Sequence, residues 1–254
     1  GGVAVELVHL GSLYHDDVMD EAEMRRNVPS VNAVWGNHTA ILAGDFLLAR
    51  ASEIAASLGT EIAALLARTI GELCEGQILE LQSTYKPSRT QKSYEQSIAG
   101  KTASLLSTAC RIGGLTAGLE RRTVDQLTTF GHTYGMAFQI VDDILDVIAT
   151  EDQLGKPAGN DLIEGVYTLP VLLALESDVR EQLQELLGKE LSTEGRDRAL
   201  DLIRSTDAVE EAFARAQFWA QKAKLELEAL PSSPATNALF AATNHLLDRA
   251  QSAS

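Results

Sequence analysis

Apolar residues recur at spacings of three and four along most of this sequence, and that periodicity limits the possible folds more than any other feature. Four stretches keep the spacing over several turns: residues 3–17, 33–58, 61–82 and 94–112. Such spacing places the apolar side chains on one face of an α-helix. Strand-like alternation is nearly absent, so the sequence predicts an all-α fold.

Glycine, proline and polar clusters indicate where the helices end. We expect breaks at residues 27–30, 59–60, 85–88, 113–114 and 151–160. No stretch of the sequence is rich enough in glycine, serine or proline to act as a linker between domains. We therefore predict one domain, a single helical bundle over residues 1–254.

Charge and cysteine content exclude several classes of protein. With a net charge of −15, the sequence does not fit a nucleic-acid binder, which would normally have a basic face. Contact with an anionic membrane would be peripheral at most. Cys74 and Cys110 form neither a CxxC pair nor a disulfide framework, which is typical of a reducing compartment and favours a cytoplasmic location. No uninterrupted apolar run of about 18 residues predicts a membrane span.

Two clusters of aspartates share the spacing DDxxD. Their members are Asp16, Asp17 and Asp20 in the first cluster and Asp142, Asp143 and Asp146 in the second. On a helix the first and last member of each cluster face the same way, so their charges repel. A solvated acidic helix end explains one such cluster well. The second cluster, however, lies among apolar residues, which indicates carboxylates that line a cavity and need a cation.

Magnesium is the cation that these ligands suit best. Carboxylate oxygens are hard ligands, and Mg²⁺ is typically held by a few carboxylates together with substrate phosphates. Cationic side chains follow each cluster or lie between them: Arg25, Arg26, Lys101 and Lys156. Each alone could be a solvated surface residue. Because they flank both clusters, we interpret them as contacts to phosphate oxygens.

Five segments together resemble one enzyme family. They are HDDVMDEAEMRR, AGDFLLARA, GKTASLL, GMAFQIVDDILD and GKPAGNDLIEGVYTLP, in this order. From about residue 3 to the C-terminus the chain closely resembles the trans-isoprenyl (polyprenyl) diphosphate synthases of geranylgeranyl or longer-chain type. The resemblance implies an isoprenoid-synthase fold, a helical bundle around a central cavity. It also implies head-to-tail prenyl transfer from an allylic prenyl diphosphate to isopentenyl diphosphate, with about three Mg²⁺ ions.

The resemblance also implies roles for individual residues. Asp16, Asp20 and Asp142 are expected to be direct Mg²⁺ ligands, and Asp17, Asp143 and Asp146 to be ligands or partners of the ligands. Arg25, Lys101 and Lys156 are expected to hold the allylic diphosphate, and His9 and Arg26 to contact isopentenyl diphosphate. The expected catalytic residues beside the reacting carbons are Lys101, Thr102 and Gln139. Oxygen dipoles of Thr102 and Gln139 would stabilise a carbocation there.

Two features depart from the family pattern. Members of the family carry a Gly-Lys-x-x-Arg segment well upstream of the first aspartates, whereas this sequence begins fifteen residues before Asp16. We expect the N-terminal helices that carry this segment to be missing from the sequence as given. Many relatives also have a lysine where this chain has Val166, so one diphosphate contact is expected to be lost.

Product length can be approached from the helix that precedes Asp16. Three small or aliphatic residues on the same face as the first aspartates are the expected chain-length determinants: Gly11, Ser12 and Val8. In this family a bulky residue four or five positions before the first aspartate closes the pocket, so Gly11 and Ser12 predict an open one. Close helix packing is the alternative explanation of these small residues. From Asp16 to Val5 the helix rises about 16 Å, which predicts products of C20 or longer.

Two other functions remain possible on the sequence alone. A class I terpene cyclase would share the first aspartate cluster, but its second metal motif is not DDxxD. A non-catalytic partner subunit of a heteromeric synthase usually lacks one aspartate motif, and this chain has both. The family usually forms homodimers, and the apolar helix around residues 40–58 could supply the interface.

Overall fold

Helices make up most of the computed structural model, which describes residues 1–149 and 158–253. The first half of the chain contains, in order, α1 (Gly2–Met19), β1 (Met24–Arg25), β2 (Val28–Pro29), α2 (Val31–Trp35), α3 (Asn37–Ser57), α4 (Thr60–Leu81), α5 (Gln91–Ile98), a π-helical turn (Ala99–Ala103) and α6 (Ser104–Thr116). The second half contains α7 (Arg121–Ile148), α8 (Asn160–Glu164), α9 (Leu169–Ala174), α10 (Arg180–Leu186), α11 (Thr193–Arg204), α12 (Ala208–Glu228) and α13 (Pro234–Ala253). The all-α prediction is confirmed, and the single-domain expectation stays a prediction.

Helix α7 lies at the centre of the larger hydrophobic core. It packs against α6 and α12, and its residues Ile140, Val141 and Ile144 are fully buried. A helix that is apolar on most of its circumference is buried on most sides. This burial explains why two of the three clustered aspartates on α7, Asp143 and Asp146, are buried.

A smaller core joins α1 to α3, α4 and α6. Its buried members include Ala4 and Val8 of α1, Ala51 of α3 and Leu66 of α4. Helices α1 and α3 pack closely along their length, partly because small residues allow the two backbones to approach. This packing fixes α1, and with it the first aspartate cluster, against the rest of the bundle.

A short hairpin follows α1 and was not predicted. Met24 pairs with Pro29 and Arg25 with Val28, and the connecting residues Arg26 and Asn27 have φ values of 52° and 63°. Positive φ at both central positions is the conformation of a two-residue type I′ turn. Strands of two residues are too short to show alternation, so the sequence indicated only a break here.

A π-helical turn interrupts the long helix that the sequence predicted over residues 94–112. It spans Ala99–Ala103 and carries Lys101 and Thr102. Single π-helical turns inside α-helices occur frequently at functional sites, because the extra residue turns neighbouring side chains out of register. The apolar spacing continues through the turn, and the sequence therefore showed no break.

The predicted break at residues 113–114 is wrong. Both glycines lie inside α6, and the helix ends at Thr116 instead. Gly114 faces α7, where a Cβ atom would lie 3.2 Å from Cγ2 of Val124. The glycine serves close helix packing rather than chain reversal.

Candidate active site

The first aspartate cluster occupies the last turn of α1. Asp17 is 2% exposed, and its Oδ1 accepts hydrogen bonds from Arg25 Nε at 2.8 Å and Nη2 at 2.5 Å. The hairpin after α1 turns the chain back and so brings Arg25 to Asp17. Loss of hydration raises the pKa of Asp16 and of Asp20, and repulsion from Asp20 raises that of Asp16 further, while Lys101 opposes both shifts. The cluster is therefore electrostatically unfavourable for anions and favourable for a cation.

The second cluster lies in the last turns of α7. Asp143 is 3% exposed; its Oδ2 accepts from the Tyr94 hydroxyl at 2.5 Å and its Oδ1 from Gln139 Nε2 at 2.8 Å. Burial raises the pKa of Asp143 to about 7, although both hydrogen bonds oppose the shift. Asp146 is also buried, and its Oδ2 accepts from the backbone N–H of Asp161 at 3.2 Å. Asp142 is exposed.

Both clusters lie at the C-terminal ends of their helices. The helix dipole places partial negative charge at this end, where it destabilises carboxylates. Helix α1 ends at Met19, beside Asp20, and α7 ends at Ile148, two residues after Asp146. Two helices that both collect carboxylates at the unfavourable end indicate a site for positive charge.

Lys101 and Glu80 form an ion pair between the two clusters. Lys101 Nζ donates to Glu80 Oε1 at 2.6 Å, and Glu80 is only 15% exposed. Burial alone would lower the pKa of Lys101, but Glu80, with Asp16 and Asp20, raises it above the ordinary value. Lys101 therefore stays a cation.

The charge of Glu80 reaches both clusters. It raises the pKa of Asp16 and Asp20 in the first cluster and that of Asp143 in the second. Because such effects require proximity, Glu80, which is paired with Lys101, lies near carboxylates of both α1 and α7. The structure thus brings together the sequence-predicted clusters and the lysine.

Thr102 and Gln139 meet beside this centre. Thr102 Oγ1 donates to Gln139 Oε1 at 2.6 Å, and both side chains are half-buried. These two catalytic candidates are therefore in direct contact, although their catalytic role stays a prediction.

The donor set suits Mg²⁺ that is shared with a substrate. Within residues 1–149 and 158–253, no three histidine, cysteine, aspartate or glutamate side chains form a ready-made metal cage. Asp17 and Asp143 are already hydrogen-bonded to Arg25, Tyr94 and Gln139. Mg²⁺ is usually bound by one or two carboxylates plus substrate phosphates, and the carboxylates of Asp16, Asp20 and Asp142 supply the hard oxygen ligands that this ion prefers.

The remaining predicted substrate-binding residues, His9, Arg26 and Lys156, differ in burial and in their neighbours. His9 is half-buried; burial lowers its pKa, and Arg26 and Arg25 lower it further. His9 therefore lies near both arginines, as a common binding region would require. Arg26 is exposed in the hairpin turn. Lys156 lies outside the described residues.

The three predicted chain-length residues differ in burial. Val8 is fully buried in the smaller core. Gly11 packs against α3, and a Cβ atom there would lie 3.0 Å from the carbonyl oxygen of Gly44. Ser12 is half-buried, and its hydroxyl donates to the His9 carbonyl at 2.8 Å. Gly11 thus has the close-packing role that was the alternative explanation, and an influence of the three residues on product length stays a prediction.

Three residues of the site were missed in the sequence. They are Glu80, Arg89 and Tyr94, which surround Lys101 and Asp143. Glu80 looks like an ordinary polar residue of an amphipathic helix. Tyr94 contacts Asp143, which is 49 residues further along the chain, so no local spacing in the sequence points to it.

A cavity of about 740 Å³ lies elsewhere, between α4, α6 and α7. Its lining includes Arg68, Glu72, Arg111 and His132, and none of the six clustered aspartates lines it. Gly76 and Gly100, which pack beside the backbone of Lys101, also line the cavity. None of the predicted site residues lines it.

No helix in residues 1–149 and 158–253 has the length and apolar character needed to cross a membrane.

Comparison with known proteins shows the family of this chain. The family model "Polyprenyl synthetase" matches residues 2–202. The chain is 42% identical over 238 residues to heptaprenyl diphosphate synthase component 2 of Geobacillus stearothermophilus, which covers 93% of this chain and 74% of that protein. It is 40% identical over 251 residues to nonaprenyl diphosphate synthase of Mycobacterium tuberculosis, which covers 98% of this chain and 75% of that one.

A solved structure shows the same fold. Geranylgeranyl pyrophosphate synthase of Corynebacterium glutamicum, complexed with calcium and isoprenyl diphosphate, superposes with a TM-score of 0.83 at 40% identity. The match covers 97% of this chain and 76% of that chain. A family match over most of the chain, two relatives of at least 40% identity and a shared fold lead to one conclusion: the chain belongs to the polyprenyl synthetase family of trans-prenyltransferases.

Proposed function

We propose that this chain condenses an allylic prenyl diphosphate with isopentenyl diphosphate, in an Mg²⁺-dependent reaction, to give a trans-polyprenyl diphosphate of C20 or longer. The observation that carries the proposal is the meeting of two DDxxD clusters around the Lys101–Glu80 pair. The names of the two relatives support a long-chain product. The family match favours this reaction over terpene cyclisation.

Asp16, Asp20 and Asp142 are the residues that would hold the metal. The bound Mg²⁺, about three ions in all, supplies positive charge that stabilises the departing diphosphate. The Corynebacterium relative, complexed with calcium and isoprenyl diphosphate, supports a divalent ion next to a diphosphate. Asp17 serves this site indirectly, since its carboxylate orients Arg25.

The cationic side chains bind the two diphosphates. Lys101, kept charged by its acidic neighbours, binds phosphate oxygens of the allylic substrate together with Arg25 and Lys156. Arg26 and His9 contact isopentenyl diphosphate. With these groups the two substrates are held in one orientation, so their reaction becomes effectively intramolecular.

Thr102 and Gln139 act on the hydrocarbon end of the breaking bond. The allylic C–O bond breaks, the electron pair leaves with the diphosphate, and the oxygens of Thr102 and Gln139 stabilise the carbocation. The double bond of isopentenyl diphosphate then attacks the cation. A proton is lost to the departing diphosphate, which completes the balance of charge.

The protein forms a homodimer in this proposal. Apolar side chains of α2 and α3 are unusually exposed, among them Trp35 at 65%, Leu42 at 68% and Phe46 at 64%. Monomeric proteins rarely expose large apolar patches. A heteromeric assembly is the second candidate, because one relative is named as component 2 of its synthase. Sedimentation of Phe46→Glu against wild type tests the interface: the variant should be monomeric, and an unchanged mass would contradict this surface.

The reaction itself can be tested with labelled isopentenyl diphosphate and each allylic primer. Incorporation of label should require Mg²⁺ and fall by about 100-fold or more in Asp16→Asn and in Asp142→Asn. Asp125→Asn is the matched control, because Asp125 is an exposed aspartate of α7 outside the cluster. Equal rates in all three variants would contradict the role of the clusters. Activity that appears only after a second component is added would favour the heteromeric candidate.

A further inference from the structure

A buried chain of hydrogen bonds runs behind the reaction centre. Thr102 Oγ1 donates to Gln139 Oε1 at 2.6 Å, and Gln139 Nε2 donates to Asp143 Oδ1 at 2.8 Å. The Tyr94 hydroxyl donates to the other oxygen of Asp143 at 2.5 Å. Tyr94 and Asp143 are 1% and 3% exposed, so water does not compete for the bond between them, whereas Thr102 and Gln139 are half-buried.

The chain decides which end of the Gln139 amide faces Thr102. Both oxygens of Asp143 act as acceptors, one from the Tyr94 hydroxyl and the other from the NH₂ group of Gln139. The amide oxygen then points to Thr102, which donates its proton to that oxygen and leaves only lone pairs on its own hydroxyl. With the opposite amide orientation, N–H groups would point toward the developing positive charge. The orientation is therefore chemically decisive.

Asp143 keeps its position because Tyr94 holds it from the far side. The two bonds to Asp143 use one oxygen each, so neither partner can be lost without a rotation of the carboxylate or an unpaired buried oxygen. Tyr94 in turn lies under Arg89, whose Cζ is 5.5 Å from the ring centroid. Arg89 is 8% exposed and donates from Nη1 to the Tyr167 carbonyl at 3.0 Å. The cation thus packs against the ring and is fixed to the backbone beyond it.

We propose that Tyr94 is a positioning residue for prenyl transfer, which fixes Asp143 and through it turns the Gln139 oxygen toward Thr102. The expected effect of Tyr94 on the rate of condensation rests on the proposed function. The hydrogen-bond chain itself can be detected without turnover.

Tyr94→Phe removes the hydroxyl and keeps the ring. The kcat for condensation should fall by about tenfold, with the KM of each diphosphate changed less than about twofold, because the diphosphates are held by other groups. Tyr167→Phe is the matched control: Tyr167 is equally buried, and its hydroxyl accepts from the Gly188 N–H at 2.6 Å, away from this chain. The control should keep the wild-type kcat. Equal losses in both variants would mean a general packing effect and would overturn the proposal.

A double-mutant cycle separates positioning from stability. If Tyr94 acts through Gln139, then Tyr94→Phe should cost little further activity once Gln139→Ala is present. Full additivity of the two losses would contradict the proposed route.

A spectroscopic measurement keeps the inference testable even if no condensation is found. In protein labelled with ¹⁵N-glutamine, the side-chain amide signal that is absent from Gln139→Ala identifies Gln139. We expect slow hydrogen exchange of this amide in wild type and in Tyr167→Phe, and exchange at least about tenfold faster in Tyr94→Phe. Unchanged exchange in Tyr94→Phe would overturn the inference, whereas failure of condensation in wild type alone would overturn only the proposed function.

Discussion

Gly76 of α4 and Gly100 of the π-helical turn pack backbone against backbone: a Cβ atom on Gly100 would lie 3.0 Å from the Cα of Gly76. A Cβ atom on Gly76 would lie 2.5 Å from the backbone nitrogen of Lys101. The position of the lysine is therefore set by the surface of α4, the helix that also supplies Glu80. This contact couples helix packing to the active site.

Gly76→Ala should destabilise the protein and lower its activity, because the added methyl group has no room against the π-helical turn. We expect a loss of about 1–3 kcal/mol in the free energy of unfolding, measured by urea denaturation. Gly71→Ala on the same helix is the control, since a Cβ atom there meets nothing within 4 Å. It should be neutral or slightly stabilising. Equal unfolding free energies for Gly76→Ala and Gly71→Ala would show that the contact between Gly76 and the π-helical turn does not contribute to stability.

The Lys101–Glu80 pair should have separable roles in stability and catalysis. Lys101→Met leaves the largely buried Glu80 without its counter-charge, and we expect lower stability as well as an activity loss of about 100-fold or more. The double variant Lys101→Met/Glu80→Gln removes the uncompensated charge and should recover stability without recovering activity. Thermal melts and condensation rates measured side by side test this. Recovered activity in the double variant would show that Lys101 does not bind substrate.

Metal-free protein should become less stable as the pH rises from about 5 to about 8. The pKa of Asp143 is about 7 in the folded protein against a reference value of 3.8, so the folded state binds the extra proton between these values. Stability is then greatest at the lower pH and is lost as the proton leaves. Asp16 and Asp20, whose pKa values are also raised, add to the same slope.

Unfolding free energies over this pH range, with and without Asp143→Asn, check the sign. In Asp143→Asn the unfolding free energy should depend less on pH than in wild type. A wild-type stability that increased toward pH 8 would show that Asp143 is charged throughout.

Ser12→Phe should shorten the prenyl product, because Ser12 is the partly exposed member of the three predicted chain-length residues. Ser12→Ala should leave product length unchanged. Gly11→Ala should instead reduce stability, since its methyl group meets the Gly44 carbonyl. Mass spectrometry of the products distinguishes these outcomes, and an unchanged product from Ser12→Phe would remove Ser12 from the tail-binding region.

The helices and the charged clusters were visible in the sequence because both depend on local spacing. The three-and-four periodicity found α1, α3, α4 and the helical segment that contains α5 and α6. The DDxxD spacing found the carboxylates. The separate rule that glycine clusters end helices mistook Gly113 and Gly114 for a helix end. Glycine also permits close packing, and only the position of Val124 on a neighbouring helix shows which role applies.

The partners of the clusters could not be predicted, because they come from distant parts of the chain. Tyr94 and Asp143 are 49 residues apart, and Lys101 and Glu80 are 21 apart. No local pattern marks such pairs. The π-helical turn was missed because the apolar spacing continues through it, and its contact with Gly76 on another helix leaves no local pattern.

The most direct test of the account is the mass of the product that purified protein with this sequence makes from isopentenyl diphosphate and an allylic primer. With Mg²⁺ we expect a trans-polyprenyl diphosphate of C20 or longer, and with a chelator in place of Mg²⁺ we expect none. Formation of no prenyl product from any primer, or of a cyclised hydrocarbon from the primer alone, would contradict the central claim.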